Sequence, residues 1–118
     1  MGQRGRAVVL ASQAQLRDVY HAIADPTRRK LLRILADSQE MPLHALTVHF
    51  PMGRTAVSKH LAVLKEADLV AERKVGRETL YRLHAEPLKE VQDWISYYQK
   101  FWQDRMMALD QLLQEDEP

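Results

Sequence analysis

The chain of 118 residues contains no cysteine. It therefore cannot form a disulfide framework, a thiolate metal site or a cysteine nucleophile, and this composition fits a cytoplasmic protein. Long apolar runs are also missing, since no segment approaches the ~20 apolar residues that a membrane span needs. The run "AVVLA" after Arg6 is too short for a signal peptide. We expect one cytoplasmic globular domain that has no membrane partner.

The net charge of +1 is unevenly distributed along the chain. Residues 1–35 carry seven Lys and Arg against two Asp and Glu, a balance of +5, and residues 54–83 carry seven against four, a balance of +3. Residues 84–118 carry three against eight, a balance of −5. This asymmetry indicates an anionic partner for the basic segments, although helices that differ only in solvated charge would give the same pattern.

Apolar spacing of three and four residues predicts four helices before residue 70. Residues 1–12 are expected to form a flexible arm, and residues 13–118 the folded domain, whose first helix begins at Gln13. Asp25 is a good N-cap and Pro26 suits the first position of a second helix. The third helix lies in "PLHALTVHF", and the turn "PMG" separates it from a fourth, "RTAVSKHLAVLKE".

The fourth helix has two contrasting faces. Its inward face carries Val57, Leu61 and Leu64, while its outward face carries hydroxyls, cations and small residues until Glu66. A short helix, a tight turn and a longer helix with such a face form a helix-turn-helix, whose second helix enters the major groove of DNA.

The segment "LVAERKVGRETLYRL" alternates with period two on either side of Gly76 and Arg77, which predicts a β-hairpin. A hairpin directly after a helix-turn-helix is a wing, and the cations near its tip favour contact with phosphates or the minor groove. Solvated surface charge is the alternative reading. Asp68, just before the hairpin, is a plausible left-handed C-cap.

A fifth helix is predicted from Pro87 to Gln114, about 40 Å long. Its apolar stripe is lined by Trp94, Ile95, Tyr98 and Trp102 among others. A helix of this length exceeds what a domain of this size can cover. We therefore expect part of the stripe to meet a second subunit, because an exposed apolar patch of this extent is unusual.

The segments "AIADPTRRKLLRIL", "FPMGRTAVSKHLAVLKEADLV" and "RKVGRETLYRL" resemble the arsenic-repressor (ArsR) family of bacterial winged-helix transcription regulators. The tail "EPLKEVQDWISYYQKFWQDRMMALDQLL" is similar to a subgroup without a metal site. The resemblance implies a mainly α winged helix-turn-helix with a small β-hairpin, in the order four helices, wing and fifth helix. It also implies a homodimeric, sequence-specific repressor that acts on palindromic operators. Autoregulation and the inducer are left open.

By this resemblance, double-stranded DNA would be bound by the fourth helix, the wing and one residue of the second helix. Arg suits guanine or phosphate, Lys phosphate, and Ser and Thr are adaptable donors and acceptors. His60 suits packing and phosphate contact equally, and Arg28 would either lie near the DNA or brace the domain. The expected DNA-binding residues are Arg54, Thr55, Ser58, Lys59, His60, Arg73, Lys74, Arg77 and Arg28.

The resemblance also implies dimerisation through the first and last helices. The expected interface residues are Leu16, Tyr20, Trp94, Ile95, Tyr98, Phe101, Trp102, Met106 and Leu109.

No metal and no other cofactor is expected. Metal-sensing members of the family place a cysteine-rich motif in the third helix, and this chain has none. His44 and His49 are five residues apart and do not share a helix face, and no histidine follows His84. A histidine–carboxylate site across the dimer, responding to a metal or small molecule, stays an alternative.

Two other classes of function, an enzyme and a protein-docking module, fit the sequence less well. The sequence has no Gly-rich phosphate loop and no nucleophile motif, so no enzymatic activity is expected. A winged helix can also dock a protein. Such a module would be expected to have an apolar or acidic outer face on the fourth helix, whereas this face is basic and hydroxylated.

Overall fold

The computed structural model describes residues 18–115, in two compact units that divide after Leu88. Helix α5 accounts for the second unit and spans Leu88–Glu115. Between residues 18 and 115, no helix combines the length and apolar character needed to cross a bilayer. The predicted arm at 1–12 and the interface residue Leu16 lie outside the described residues. The elements of the first unit are α1 (Val19–Ile23), α2 (Pro26–Ala36), β1 (Met41–Pro42), α3 (Leu43–Thr47), α4 (Arg54–Glu66), β2 (Val70–Val75) and β3 (Glu78–Leu83).

This element order confirms the predicted fold, a mainly α winged helix-turn-helix with a small β-sheet. Helix α1 begins at Val19, because Asp18 is extended and its side chain accepts a hydrogen bond from the Tyr20 amide at 3.1 Å. The predicted helix start at Gln13 lies outside the described residues. A short polar side chain competes with the helix for backbone groups and so favours the cap. Helix α5 begins at Leu88, one residue after the predicted Pro87.

The start of α2 follows the prediction. Asp25 is extended, its carboxylate accepts a hydrogen bond from the Arg28 amide at 3.0 Å, and Pro26 occupies the first turn. Proline is tolerated there because the first helical N–H groups have no partner within the helix. The cap and the proline together fix where the chain turns between α1 and α2.

Leucine side chains from α2, α3 and α4 form the core of the first unit. Each helix contributes an inward stripe at a spacing of three or four residues, and the start of β2 and the middle of β3 close the core. The buried apolar residues are Val19, Ala22, Leu31, Leu32, Leu35, Leu46, Val57, Leu61, Leu64, Ala67, Leu69, Val70 and Tyr81. Ile34 and Phe50 are half-buried.

The wing is an antiparallel hairpin in which Val70 pairs with Leu83 and Val75 with Glu78. Gly76 has a φ of 63°, which suits the first position of its two-residue loop. Asp68 also has a positive φ, 60°, as expected, but it follows the C-cap of α4, which is Ala67. Strand β1 was not predicted: Met41 and Pro42 pair with Tyr81 and Leu80 and make β3 the central strand. Two residues are too short for a period-two pattern to show in the sequence.

The charge of the Asp25 carboxylate at the N-cap of α2 is expected to stabilise the fold. Partial burial raises the pKa of the Asp25 carboxyl, but the amide and guanidinium of Arg28 and the imidazole of His60 lower it by more. The net effect is a pKa below the usual 3.8. Because the pKa is lower in the folded than in the unfolded chain, the stabilisation is complete above ~pH 4 and is lost as the pH falls through the folded-state value.

We expect Asp25→Ala to lower the free energy of unfolding by about 1 kcal/mol at neutral pH. Asp25→Asn, which keeps a capping oxygen and removes only the charge, should cost less. The difference between wild type and Asp25→Asn should shrink as the pH is lowered towards ~3. Urea denaturation monitored by circular dichroism measures both effects, and a difference independent of pH would contradict the role given to the charge.

Candidate nucleic-acid interface

Helix α4 buries one side and exposes the other. Val57, Leu61 and Leu64 are buried, with relative exposures of 0%, 1% and 0%. Thr55 and Lys59 lie on the opposite side and are exposed, and Ser58 is half-buried at the edge. The packing of α4 therefore fixes which of its polar side chains reach outward.

The N-terminus of α4 opens into a small cleft beside the wing, with a volume of about 190 Å³. Gly53 is the N-cap residue, and no side chain of the described residues caps the helix. Free N–H groups and the helix dipole make such an end attractive to anions. The cleft brings the start of α4 and the wing tip together, and its lining residues are Leu43, His44, Arg54, Arg77, Glu78, Thr79 and Tyr81.

The cations of the wing differ in whether they pair with an acidic side chain. Arg73 binds Glu40 through two hydrogen bonds, Nε–Oε2 at 2.7 Å and Nη2–Oε1 at 2.8 Å. This contact lowers the pKa of Glu40 and raises that of Arg73. Lys74 and Arg77 are exposed, and neither makes an ion pair within residues 18–115. The charge of the wing is therefore freest near its tip.

Arg54 and Lys59 on α4 likewise make no ion pair within the part of the chain that the structure describes. Lys65, near the end of the helix, instead binds Glu72 of β2, which raises the pKa of Lys65. Uncompensated cations on the exposed part of α4 and at the wing tip form a positive surface, which attracts a polyanion.

Arg28 lies at the centre of a polar network behind α4. Its Nε donates to the carbonyl of Ala22 at 2.7 Å, and its Nη2 to the carbonyl of His21 at 3.1 Å. Its Nη1 lies 3.4 Å from Nδ1 of His60 on α4. The carboxylate of Asp25 lies 3.8 Å from the same imidazole nitrogen. These contacts join the end of α1, the start of α2 and the middle of α4, which supports the bracing role for Arg28 and a packing role for His60.

Two further cations of α2, not predicted as functional, have similar bracing contacts. Arg29 donates to the carbonyl of Ile23 at 2.8 Å. Lys30 donates to the carbonyl of His49 at 2.8 Å, and its ammonium lies 5.0 Å from the centre of the Phe50 ring. Lys30 thus holds the turn between α3 and α4. No signal in the sequence separates these cations from solvated ones, because their acceptors are backbone carbonyls.

Histidine and carboxylate side chains do not converge on a metal-like geometry. No group of three or more His, Asp and Glu residues within 18–115 could hold a metal ion. His44 lies 3.1 Å from Glu78 at the mouth of the cleft, and Nδ1 of His84 lies 2.6 Å from the carbonyl of Asp68. The sequence predicted only a structural or metal-binding role for these histidines. It did not predict the contact of His44 with Glu78, which joins α3 to the wing.

The residues of α5 that are expected at a dimer interface are all exposed, and no residue of this helix is buried. Tyr98 and Phe101 have ring centres 6.4 Å apart on the same surface. Tyr20 of α1 is half-buried. The relative exposures on α5 range from 36% to 59% among Trp94, Ile95, Tyr98, Phe101, Trp102, Met106 and Leu109.

The bracing role of Arg28 can be tested against Arg33, an exposed residue of the same helix whose side chain makes no hydrogen bond or ion pair with any described residue. We expect Arg28→Met to lower the free energy of unfolding by about 1–3 kcal/mol, because it removes the guanidinium donors to the Ala22 and His21 carbonyls and leaves the His21 carbonyl with only the Ala24 amide. Arg33→Met should change it by about 0.5 kcal/mol or less. Thermal denaturation of both variants measures the difference, and equal stability would show that the network does not brace the unit.

Comparison with known proteins agrees with this geometry. Residues 25–72 match the model of the bacterial regulatory protein family arsR. The chain is 31% identical over 80 residues to the transcriptional repressor SdpR of Bacillus subtilis, covering 68% of this chain and 88% of the relative. It is 32% identical over 97 residues to the HTH-type transcriptional regulator Rv2034 of Mycobacterium tuberculosis, covering 82% and 87%.

A solved structure gives the same picture. The ArsR-like transcriptional regulator from Rhodococcus sp. RHA1 superimposes with a TM-score of 0.64 at 30% identity, over 92% of this chain and 98% of that chain. The shared sequence and fold cover the helix-turn-helix and the wing. The chain belongs to the arsR family of bacterial DNA-binding transcription regulators.

Proposed function

We propose that the protein is a homodimeric repressor that binds a palindromic operator in double-stranded DNA through α4 and the wing. The observation that carries the proposal is the set of exposed cations without ion pairs on these two elements. They flank hydroxyl groups on a helix whose other side is buried. A surface of this composition matches the phosphates and base edges of a major groove.

The side chains of α4 divide between positioning and reading. Thr55 and Ser58 can donate or accept and suit base edges. Lys59 is exposed on the same side and suits a phosphate. Arg54 stands at the helix N-terminus, next to free backbone N–H groups, and can reach either a base or a phosphate.

The wing adds phosphate contacts at its tip. Lys74 and Arg77 are free to neutralise phosphates or to enter the minor groove. Arg73 is held by Glu40, so we assign it mainly the anchoring of the hairpin. Arg28 and His60 similarly act on DNA by holding α4 in place.

The homodimer rests on α5. Its exposed apolar side chains are costly to leave in water, and a second copy is the partner that every molecule in solution meets. Two recognition helices related by a two-fold axis require an operator with matching symmetry. Repression follows from occupying a promoter. SdpR is a repressor by name, and we extend that activity, with control of its own promoter as one instance, to this chain.

The first test concerns the spacing of the half-sites. Two α4 helices must enter major grooves on one side of the duplex, so half-sites should be centred ~10–11 base pairs apart or at a multiple. Operators selected from a random pool should be palindromic. Inserting half a helical turn between the half-sites should remove most of the specific affinity in a gel-shift titration, and equal affinity for all spacings would refute the two-fold arrangement.

The second test concerns the phosphate contacts. Lys59→Ala and Arg77→Ala should each weaken binding to every duplex and lower the slope of log K against log salt by ~1. Ser58→Ala and Thr55→Ala should instead change the preference at particular base pairs.

Lys100→Ala on α5 is the matched control, since it also removes one exposed cation and is expected to leave the salt slope unchanged. Fluorescence anisotropy at several salt concentrations gives these slopes. Normal folding with unchanged DNA affinity in the Lys59 and Arg77 variants would favour a protein-docking winged helix.

A further inference from the structure

His44 joins α3 to the wing through one contact at the mouth of the cleft. Its Nε2 lies 3.1 Å from Oε1 of Glu78, the first residue of β3. Glu78 pairs with Val75 across the two-residue loop of the hairpin, so the contact lies at the wing tip beside Arg77. The two side chains are 66% and 55% exposed. Solvent screens an ion pair that is this exposed, so the pair adds little to stability, but both groups remain accessible to a ligand of the cleft.

Two cations share the cleft with this pair. Arg54 lies at the start of α4 and Arg77 in the hairpin loop, and neither makes an ion pair within residues 18–115. Strand β1, which also packs against α3, contributes no titratable side chain. Burial raises the pKa of Tyr81 on β3 above its ordinary value, so its hydroxyl stays neutral. Glu78 is thus the one acidic residue among the described residues that line the cleft.

The net charge of the pair depends on the protonation of His44. With a neutral imidazole the pair carries the single negative charge of the carboxylate, and with an imidazolium it carries none. Histidine is the side chain whose charge ordinarily changes between about pH 5 and 8. Because a carboxylate repels phosphates, the neutral form of His44 leaves a charge that opposes the approach of DNA to the cleft. The protonated form removes that opposition.

We propose that His44 takes up a proton when DNA binds, and that Glu78 weakens DNA binding until it does. The proposal rests on the DNA binding of the proposed function and adds His44 and Glu78 to its interface. Phosphates at the cleft favour the imidazolium, since a nearby anion favours the positively charged form of a base. Coupling between two ligands is reciprocal, so a protein that binds a proton more tightly with DNA also binds DNA more tightly at low pH.

The same proton strengthens the link between α3 and the wing tip. A hydrogen bond from an imidazolium to a carboxylate is charge-assisted, and it is about twice as strong as a neutral one. The bond holds the tip beside the start of α4, where Arg54 and Arg77 line one cleft. The charge of the cleft and the position of the wing therefore act in the same direction, and both favour DNA binding at the lower pH.

Fluorescence anisotropy at about pH 8 and about pH 6 tests the proposal, because histidine titrates across this range. The probe is the palindromic duplex recovered by the half-site selection. The affinity of the wild-type protein should rise about threefold or more at the lower pH, since one linked proton changes an affinity by up to about tenfold per pH unit. His44→Gln keeps a donor to Glu78 but does not titrate, so it should lose most of this pH dependence.

His49→Gln is the matched control for the histidine. His49 is exposed, and its side chain makes no hydrogen bond or ion pair with any described residue. Its replacement should leave the pH dependence of DNA binding unchanged. Circular dichroism shows whether each variant is folded.

Glu78→Gln tests the second half of the proposal. Removing the carboxylate should raise the affinity severalfold at the higher pH, towards the wild-type value at the lower pH, because the repelling charge is gone. Asp110→Asn on α5 is the matched control, since it also removes one exposed acid and should leave the affinity unchanged.

Calorimetry of the wild-type protein measures the proton directly and depends on no variant. Phosphate and Tris buffers release protons with different enthalpies, so the binding heats in the two buffers differ in proportion to the protons taken up. Titration of the same duplex near pH 7, within the range of histidine, should show net proton uptake.

Equal pH dependence in the wild-type and His44→Gln proteins would overturn the proposal, and so would weaker binding by Glu78→Gln at the higher pH. Specific binding without proton uptake would overturn this inference alone and leave the proposed function standing. Failure of the wild-type protein to bind any duplex specifically at either pH would overturn the proposed function and, with it, the inference.

Discussion

Burial of one side of α4 is the constraint on which the arrangement of this protein depends. Val57, Leu61 and Leu64 are almost completely removed from water, which contributes on the order of 1.5–3 kcal/mol for each side chain. Their spacing leaves one rotation of the helix in which all three are buried. That rotation presents Thr55 and Lys59 to the outside, so the apolar packing of the core and the composition of the candidate DNA-binding surface are set by the same helix orientation.

The cations of the first unit are divided between two tasks. Arg28, Arg29 and Lys30 bind backbone carbonyls around α1 and the turn before α4, and Arg73 binds Glu40. These contacts fix the geometry of the unit and are expected to matter for stability. The cations of α4 and the wing tip without intramolecular partners remain available to a polyanion. Counting Lys and Arg in the sequence cannot separate the two groups.

The second unit raises a different physical problem, since α5 is long and its apolar side chains are exposed. In the proposed function a second copy covers these side chains, because an exposed apolar surface of this extent is costly to leave in water. The symmetry of a DNA palindrome would then follow from the two-fold symmetry of the protein.

The sequence by itself determined the order of the helices and the hairpin, the N-cap at Asp25, the left-handed backbone at Asp68, the turn at Gly76 and the inward stripe of α4. Each of these depends on local rules of periodicity and backbone preference that act within a few residues. It also placed the candidate DNA-contacting residues on α4 and the hairpin, because the order of elements puts them there.

Only the tertiary structure decided which cations have intramolecular partners. Arg28 and His60 are 32 residues apart, and Glu40 and Arg73 are 33 apart, so no local pattern could announce either contact. Strand β1 depends in the same way on β3, since two residues have no periodicity of their own. The cleft that joins Arg54 and Arg77 exists only because the hairpin folds back beside the start of α4. Contacts of this kind depend on how elements far apart in the sequence pack together, and no single segment determines that packing.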